Sequence, residues 1–494
     1  MVTNNKISRN NYLLSLLFIV GFGLFAFTRT STFIPIAIFI APIFILLFLR
    51  KQRPLKGILL TLLGFTASIT IALWGLFSFE DGIFSLIFNV LRSLTLAIVL
   101  MLPYIANRLI QGRVKGFLTT LVFPISATAI YFLLSIEGPF VGTSVYFAYA
   151  QYENLTLIQL ASITGLWGFV FLISWFASVI TWAWEKEFKW DEIKKGSVIF
   201  IGIVSVILVF GGVNISTLTH NDADTVRIAA VTMLPDEKEE TVSMERAWEE
   251  RIYSPFNETI SRIENLTKEA SSSGAKIVVF QEYSMLINEN DEEKLIGESK
   301  RLAKENNIYF SITYGTLPKE GKGENKSLFI NNNGDIEANY LKYKVIVPVE
   351  PMKKGPAEIP VVNTPYGKIG ITICRDMEFP PYIRQAGREN VDIMLFPSYE
   401  FPKSVTRSNT LRAIENGFSM VRPVKDGMSF AVDYRGRVLS SMDYFTTSKG
   451  IMYADVPTKG IRTVYAFVGD WFAWLTVLGF VGFIVVGIRE KRKK

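Results

Sequence analysis

The stretch Lys368-Ile369-Gly370-Ile371-Thr372-Ile373-Cys374-Arg375-Asp376-Met377-Glu378-Phe379-Pro380-Pro381 decides how this chain is read. It holds the single cysteine of 494 residues. The apolar, β-branched run from Ile369 to Ile373 predicts a buried strand ending at Cys374. Pro380 and Pro381 suit the first turn of a helix. A thiol between a strand end and a helix start lies near backbone N–H donors and the positive end of a helix dipole. Both lower a thiol pKa and favour a nucleophile. The competing reading is a buried cysteine acting as a small apolar residue. The surrounding sequence bears on the choice.

Upstream, Val226 to Val231 predicts a strand and 242–270 a surface helix. Lys276 to Phe280 predicts another strand, running straight into Gln281-Glu282-Tyr283. A helix over 292–305 precedes the strand Tyr309–Tyr314. Strands are expected near 327–331, 336–346 and 360–363, with turn chemistry at Asn332-Asn333-Gly334-Asp335. Downstream come a helix after Pro381, a strand from Asp392 to Phe396, and a helix over 406–417 with Arg412 and Glu415. Strands over 419–423, 428–433, 437–441 and 450–454 close the domain. Strand–helix alternation mixed with hairpins predicts sheets covered by helices.

Elimination narrows the chemistry. The only histidine, His220, stands at a linker position, so the base for a nucleophilic Cys374 is expected to be a carboxylate. A zinc site of Cys and His ligands is excluded by count. There is no G-x-x-x-x-G-K-[ST] loop and no G-x-G-x-x-G fingerprint. Glu282 directly follows an apolar strand, where a side chain sits at the rim of a sheet. Partly apolar surroundings raise a carboxylate pKa toward neutrality and suit it to proton transfer. An acyl-transfer intermediate also needs a cation for its oxyanion. Lys342 and Lys344 are two apart on one expected strand, so alternation leaves both open.

The rest of the chain is strongly apolar. Seven candidate spans of roughly 20 residues lie at about 11–28, 32–50, 55–78, 84–105, 115–136, 157–184 and 196–213, and an eighth at about 464–487. The first lacks a small-residue cleavage site and runs at once into the next, unlike a signal peptide. Basic residues cluster in alternate loops: Lys6 and Arg9; Arg50, Lys51, Arg53 and Lys56; Arg108, Arg113 and Lys115; Lys186, Lys189, Lys194 and Lys195. The loop 137–156 has none. The positive-inside rule then places both termini in the cytoplasm and 218–463 on the outer face. The formal charge of +7 is thereby a topology signal and requires no nucleic-acid partner. The expected domains are 1–217 in the membrane, 218–463 as an extracytoplasmic catalytic domain, and 464–494 as the last span with a basic tail. A single cysteine on the outer face forms no internal disulfide. Arg92, inside the fourth span, is either functional or a bundle-facing charge. The aromatic segment 137–156 is expected as an interfacial loop anchored by its tyrosines, with a re-entrant or lid piece as the alternative.

Glu282, Lys342 and Cys374 occur in the order of the Glu-Lys-Cys triad of the nitrilase superfamily, which this domain resembles. Tyr340-Leu341-Lys342 is similar to that superfamily's Tyr-x-Lys stretch, and Ile373 to Asp376 with Phe379-Pro380 to its cysteine elbow. Seven spans before the domain and one after it resemble the apolipoprotein N-acyltransferase family. So do Leu157-Ile158-Gln159-Leu160-Ala161 with Gly165 and Gly168, Ile346-Val347-Pro348 through Glu350, and Arg412-Ala413-Ile414-Glu415-Asn416. The chain departs from that family at Arg375-Asp376, where Tyr-Glu is usual, and at Val349, where Gly is usual. Arg375-Asp376 is more like soluble nitrilases.

The resemblance implies an α-β-β-α sandwich on an eight-span membrane base. It implies Glu282 as proton acceptor, Cys374 as nucleophile and Lys342, chosen by the Tyr-x-Lys match and its spacing to Glu350, as the oxyanion cation. Glu350 and Arg375 are expected in support. It also implies a phospholipid acyl donor, a lipoprotein or lipopeptide acceptor, and no cofactor or metal. The alternatives are a membrane-tethered amidase or other acyltransferase of the same superfamily, and a non-catalytic binding protein on the same scaffold.

Overall fold

A computed structural model describes the whole chain except residues 1, 29–33, 75–81, 137–142, 144–146, 217–223, 235–243, 347–349, 405–406 and 493–494. His220, Pro348, Val349 and most of the aromatic segment at 137–146 therefore lie outside the described residues. The chain divides into two compact units, Met1–Asn214 with Asp470–Lys494, and Ile215–Gly469.

In the first unit, six helical segments among the described residues are long and apolar enough to cross a membrane. They are Pro54–Ala72, Gly82–Arg113, Gly116–Ile136, Leu166–Glu185, Trp190–Ser216 and Trp471–Glu490. Eight were expected. The first expected span falls on Val2–Ala26, whose apolar part is only Asn11–Ala26. The second falls on Ala37–Lys51, whose 15 residues reach about 22 Å against a hydrocarbon core of about 30 Å. The expected sixth span is broken. Gly165, at φ +63°, separates the short turns Leu155–Ile158 and Ala161–Thr164 from the helix Leu166–Glu185. Aromatic packing ties the early helices together, with Phe22 edge-on to Phe65 at 5.1 Å. Gly64 makes this approach feasible, since a Cβ there would stand 2.5 Å from the Phe22 ring. Arg92 is half-buried on Gly82–Ile110.

Among the described residues, the second unit is built on fourteen strands in two sheets. The first sheet holds β1 (Thr225–Val231), β2 (Ile277–Phe280), β3 (Leu286–Asn288), β4 (Tyr309–Leu317), β5 (Glu324–Ile330) and β6 (Ile336–Leu341). The second holds β7 (Val361–Thr364), β8 (Gly367–Ile371), β9 (Ile393–Leu395), β10 (Ser398–Ser404), β11 (Ser419–Arg422), β12 (Val424–Val432) and β13 (Val438–Asp443). The last strand, β14 (Ile451–Pro457), returns to pair antiparallel with β1. The orders are β14-β1-β2-β4-β5-β6, with β3 on β4, and β10-β12-β11-β9-β8-β7, with β13 on β12.

Alternation along the strands makes the layers. Val226, Ile228 and Ala230 of β1 face a core shared with Ile369, Ile371, Ile393, Leu395 and Val421 of the other sheet. Ala229 and Val231 face the opposite way, onto Ile260 and Ile263 of helix Phe256–Ser272 and Leu295 and Leu302 of helix Glu292–Glu305. On the outer side of the second sheet, Met394, Met420 and Phe430 pack on Ile383 and Ala386 of helix Pro380–Arg388 and Ala413 of helix Thr410–Asn416. The result is the α-β-β-α sandwich.

Three local expectations change. The helix over 242–270 is two helices, Met244–Glu249 and Phe256–Ser272, separated at a segment that includes Pro255. The strand over 336–346 stops at Leu341. The strand β10 has no counterpart among the expected strands, because Pro402 and Lys403 interrupt the short alternation of Ser398, Tyr399, Glu400 and Phe401.

Candidate active site

Cys374 follows β8 and opens a short 3-10 turn, Cys374–Glu378, before the helix that starts at Pro380. Its φ is +47°, a left-handed conformation that costs a non-glycine residue energy and sets the side chain off the line of the strand. Its backbone N–H donates to the Pro397 carbonyl at 2.9 Å. Asp376 holds the turn: its carboxylate accepts from the Ile373 N–H at 3.0 Å, the Lys344 N–H at 2.8 Å and the Tyr340 hydroxyl at 2.7 Å. Burial pushes the Asp376 carboxyl up to about 6 against these donors.

Glu282 stands two residues beyond the end of β2 and is buried. Its Oε1 accepts from Lys342 Nζ at 2.8 Å and from Asn325 Nδ2 at 2.8 Å. Its Oε2 accepts from the Tyr399 N–H at 2.8 Å. The Tyr399 carbonyl in turn accepts from Cys374 Sγ at 3.5 Å. β10 thus joins the Glu282 carboxylate to the thiol.

Lys342 is also buried and donates to both oxygens of Glu350 at 3.1 Å. Burial works against its ammonium, but Glu282 and Glu350 outweigh this and hold its pKa well above the usual lysine range. Glu350 receives further donors from the Tyr283 hydroxyl at 2.6 Å, Asn325 at 3.1 Å and the Ile346 N–H at 3.0 Å. Burial pushes the Glu350 carboxyl up, yet Lys342 and these hydrogen bonds leave it below the usual range.

The structure separates the two lysines that alternation left open. Because β6 ends at Leu341, Lys342 and Lys344 do not share a strand face. Lys342 enters the carboxylates, whereas Lys344 is half-exposed with its ammonium 4.2 Å from the Phe379 ring centroid. Arg375 lies beside Cys374 but turns away from Glu282 and Lys342. Its guanidinium donates to the Val345 carbonyl at 3.3 Å and lies 3.6 Å from Glu378.

The expected lowering of the thiol pKa does not hold. Burial pushes the Cys374 thiol up, and the Glu282 charge adds to it; Lys342, the Tyr399 carbonyl contact and Arg422 oppose without overcoming. The physical reason is that the helix proper begins only at Pro380, while the thiol shares its site with a carboxylate.

Asn325, Tyr283, Tyr399 and Arg422 are not singled out by the sequence. Asn325 offers one signal, an amide inside a strand at a fully buried position. Arg422 is buried at the end of β11, pairs with Glu400 and donates to Ser398 Oγ at 3.1 Å. Burial lowers its pKa to about 10, with Cys374 and Glu282 acting the other way. Among the described residues no group of three or more His, Cys, Asp or Glu is arranged to hold a metal ion.

Comparison with known proteins places this geometry. Residues 228–466 match the carbon–nitrogen hydrolase family model, and residues 21–179 match the apolipoprotein N-acyltransferase N-terminal domain. The chain is a nitrilase-superfamily enzyme resembling the apolipoprotein N-acyltransferases. An apolipoprotein N-acyltransferase of Geobacter metallireducens is 23% identical over 376 residues, 69% of each chain. A formamidase of Bradyrhizobium sp. is 31% identical over 129 residues, which span 24% of this chain and 38% of that one. Among solved structures, an amidase from Nesterenkonia sp. superposes with a TM-score of 0.38 at 16% identity, covering 49% of this chain and 94% of that one. The apolipoprotein N-acyltransferase resemblance thus spans both units.

Proposed function

We propose that this chain is a membrane acyltransferase that moves a phospholipid acyl chain, through a thioester on Cys374, to the N-terminal amine of a lipoprotein's diacylglyceryl cysteine. The observation that carries this reading is the meeting of Glu282, Lys342 and Cys374 in one chain that also matches the N-acyltransferase N-terminal domain.

Glu282 takes the thiol proton as Cys374 sulfur attacks the ester carbonyl. Lys342 and the Arg375 backbone N–H stabilise the oxyanion. The ester C–O bond breaks, Glu282 returns the proton to the leaving alkoxide, and a lysophospholipid departs. The acceptor amine then attacks the thioester, Glu282 takes its proton, and the sulfur leaves and is reprotonated. Glu350 fixes Lys342. The catalytic unit works on the outer face, with both termini cytoplasmic, and the acyl-enzyme must be kept from water. A transferase needs that exclusion, because a thioester also reacts with water.

Arg375-Asp376 and the formamidase similarity favour a second reading, a membrane-tethered amidase. One experiment separates them. Purified protein with phospholipid alone is expected to give one burst of lysophospholipid and then nearly stop. Adding a diacylated lipopeptide with a free N-terminal amine restarts turnover and yields the triacylated peptide. Steady release of free fatty acid without an amine favours a lipid hydrolase. Ammonia from a small amide, with no phospholipid cleavage, favours the amidase.

A further inference from the structure

A cluster of cations stands beside the cysteine turn and takes no part in the carboxylate network. Lys344 Nζ lies 4.5 Å from the Tyr343 ring centroid and 4.2 Å from that of Phe379. Lys354 Nζ lies 4.5 Å from the same Tyr343 ring. The Arg375 guanidinium is 5.7 Å from Phe379. Two aromatic rings thus gather three positive charges around the residue next to the nucleophile.

Among the described residues the only carboxylate paired with these three groups is Glu378, at 3.6 Å from Arg375. Neighbouring Lys353 is paired with Glu324 at 3.0 Å, which makes the lack of an ion pair at Lys344 and Lys354 a local feature. Lys344 is half-exposed and Lys354 exposed, so both ammoniums are open to a ligand. The cluster is also fixed to the catalytic turn. The Lys344 N–H donates to Asp376, and Arg375 donates to the Val345 carbonyl.

We propose that Lys344, Lys354 and Arg375 form the subsite for the phosphodiester of the acyl donor. This rests on the acyltransferase reading above. A phosphodiester is anionic at every physiological pH and accepts charge-assisted hydrogen bonds from several donors at once. The acceptor substrate brings an amine, which gathered cations repel, so the cluster suits the donor and not the acceptor. The aromatic rings hold the cations in place by cation–π attraction when no ligand is bound. The subsite orients the ester toward Cys374 and recognises the headgroup's phosphate, leaving the rest of the headgroup outside it.

The test uses the full chain in nanodiscs and reads acyl-Cys374 by intact mass. Two donors are compared, phosphatidylglycerol and a phosphate-free p-nitrophenyl acyl ester. The ratio of their acylation rates is expected to fall about tenfold in Lys344→Gln/Lys354→Gln and to be restored in Lys344→Arg/Lys354→Arg. An unchanged ratio with active phosphatidylglycerol acylation overturns the subsite and leaves the acyltransferase reading standing. Acylation by the p-nitrophenyl ester but by no phospholipid, in the unsubstituted protein, overturns both. A third arm adds soluble glycerophosphoglycerol and inorganic phosphate as competitors. Inhibition by the phosphodiester that weakens in the Gln variant supports a lipid-headgroup site. Equal or stronger inhibition by inorganic phosphate, with the donor ratio unmoved, overturns it in favour of a free-anion site.

Discussion

Glu282 and Cys374 are joined through the backbone of a single residue: the Tyr399 N–H donates to Glu282 Oε2 at 2.8 Å, and the Tyr399 carbonyl accepts from Cys374 Sγ at 3.5 Å. One strand, β10, therefore orients the carboxylate and the thiol together, while Lys342 and Asn325 fix the other oxygen of Glu282. Every hydrogen-bond partner of this carboxylate is a donor, so an amide in its place presents N–H to at least one of them.

This makes Glu282→Gln informative in two directions. Loss of the base is expected to slow acylation of Cys374 by about 10²- to 10⁴-fold. The Glu282 charge also raises the thiol pKa, so its removal favours the thiolate. Alkylation of Cys374 by iodoacetamide at alkaline pH is expected to become faster in the same variant. Acylation measured by intact mass should fall while alkylation rises. A fall in both would mean that the substitution damages the fold rather than the proton transfer.

Much of this site is legible in the amino-acid sequence. The apolar run at 277–280 marks β2, and the strand's end puts Glu282 at a rim. The apolar, β-branched run ahead of Cys374 marks β8. The parts that sequence leaves dark depend on contacts between residues distant along the chain. Alternation does not tell Lys342 from Lys344 because it assumes that the strand continues, and β6 ends one residue earlier. Tyr399 acts through backbone atoms, which no side-chain pattern records. The direction of the thiol pKa reverses because a helix start is visible in sequence, whereas burial beside Glu282 is not. The eight expected spans meet a similar limit. Hydropathy marks apolar stretches, but Gly165 splits one of them and Ala37–Lys51 is shorter than its apolar surroundings.

The left-handed backbone at Cys374 gives a second prediction. An L-residue in this region carries a penalty of about 1–2 kcal/mol that glycine escapes. Cys374→Gly is therefore expected to unfold at higher denaturant or temperature than Cys374→Ala, by about 1 kcal/mol. Neither variant should form an acyl-enzyme. Equal stability of the two would show that the turn relaxes out of positive φ once the thiol is removed.

Topology supplies a third. By the positive-inside rule, the alternation of Lys and Arg between loops predicts that 218–463 lies on the outer face. A reporter fused after Asn214 is expected to signal the outer face, and one fused after Lys494 the cytoplasm. A cytoplasmic signal from the first fusion would overturn the orientation and with it the access to lipoprotein N-termini.

Lys342 gives the last prediction, and it is one of sign. Glu350 is held below its usual pKa, chiefly by Lys342 once burial is offset. Its stabilising contribution is therefore present above the unfolded carboxylate pKa of about 4.3 and is lost as pH falls through the folded value. Lys342 is held above its usual value, so its contribution is present below an unfolded pKa of about 10.4 and is lost only as pH rises through the folded one. The unsubstituted protein should gain stability from these groups as pH rises toward 5 and hold it to about 9. Lys342→Met leaves Glu282 and Glu350 buried without their shared cation, a loss of roughly 3–5 kcal/mol at neutral pH. Burial then favours the protonated form of Glu350, so its folded pKa moves above the unfolded one. The variant should become less stable as pH rises from about 5 to 8, the opposite of the flat profile expected with Lys342 in place. Thermal melts of both proteins in one detergent across this range read the difference directly. Parallel pH profiles would show that Lys342 does not set the charge state of Glu350, and its role as the cation of the site would fall with it.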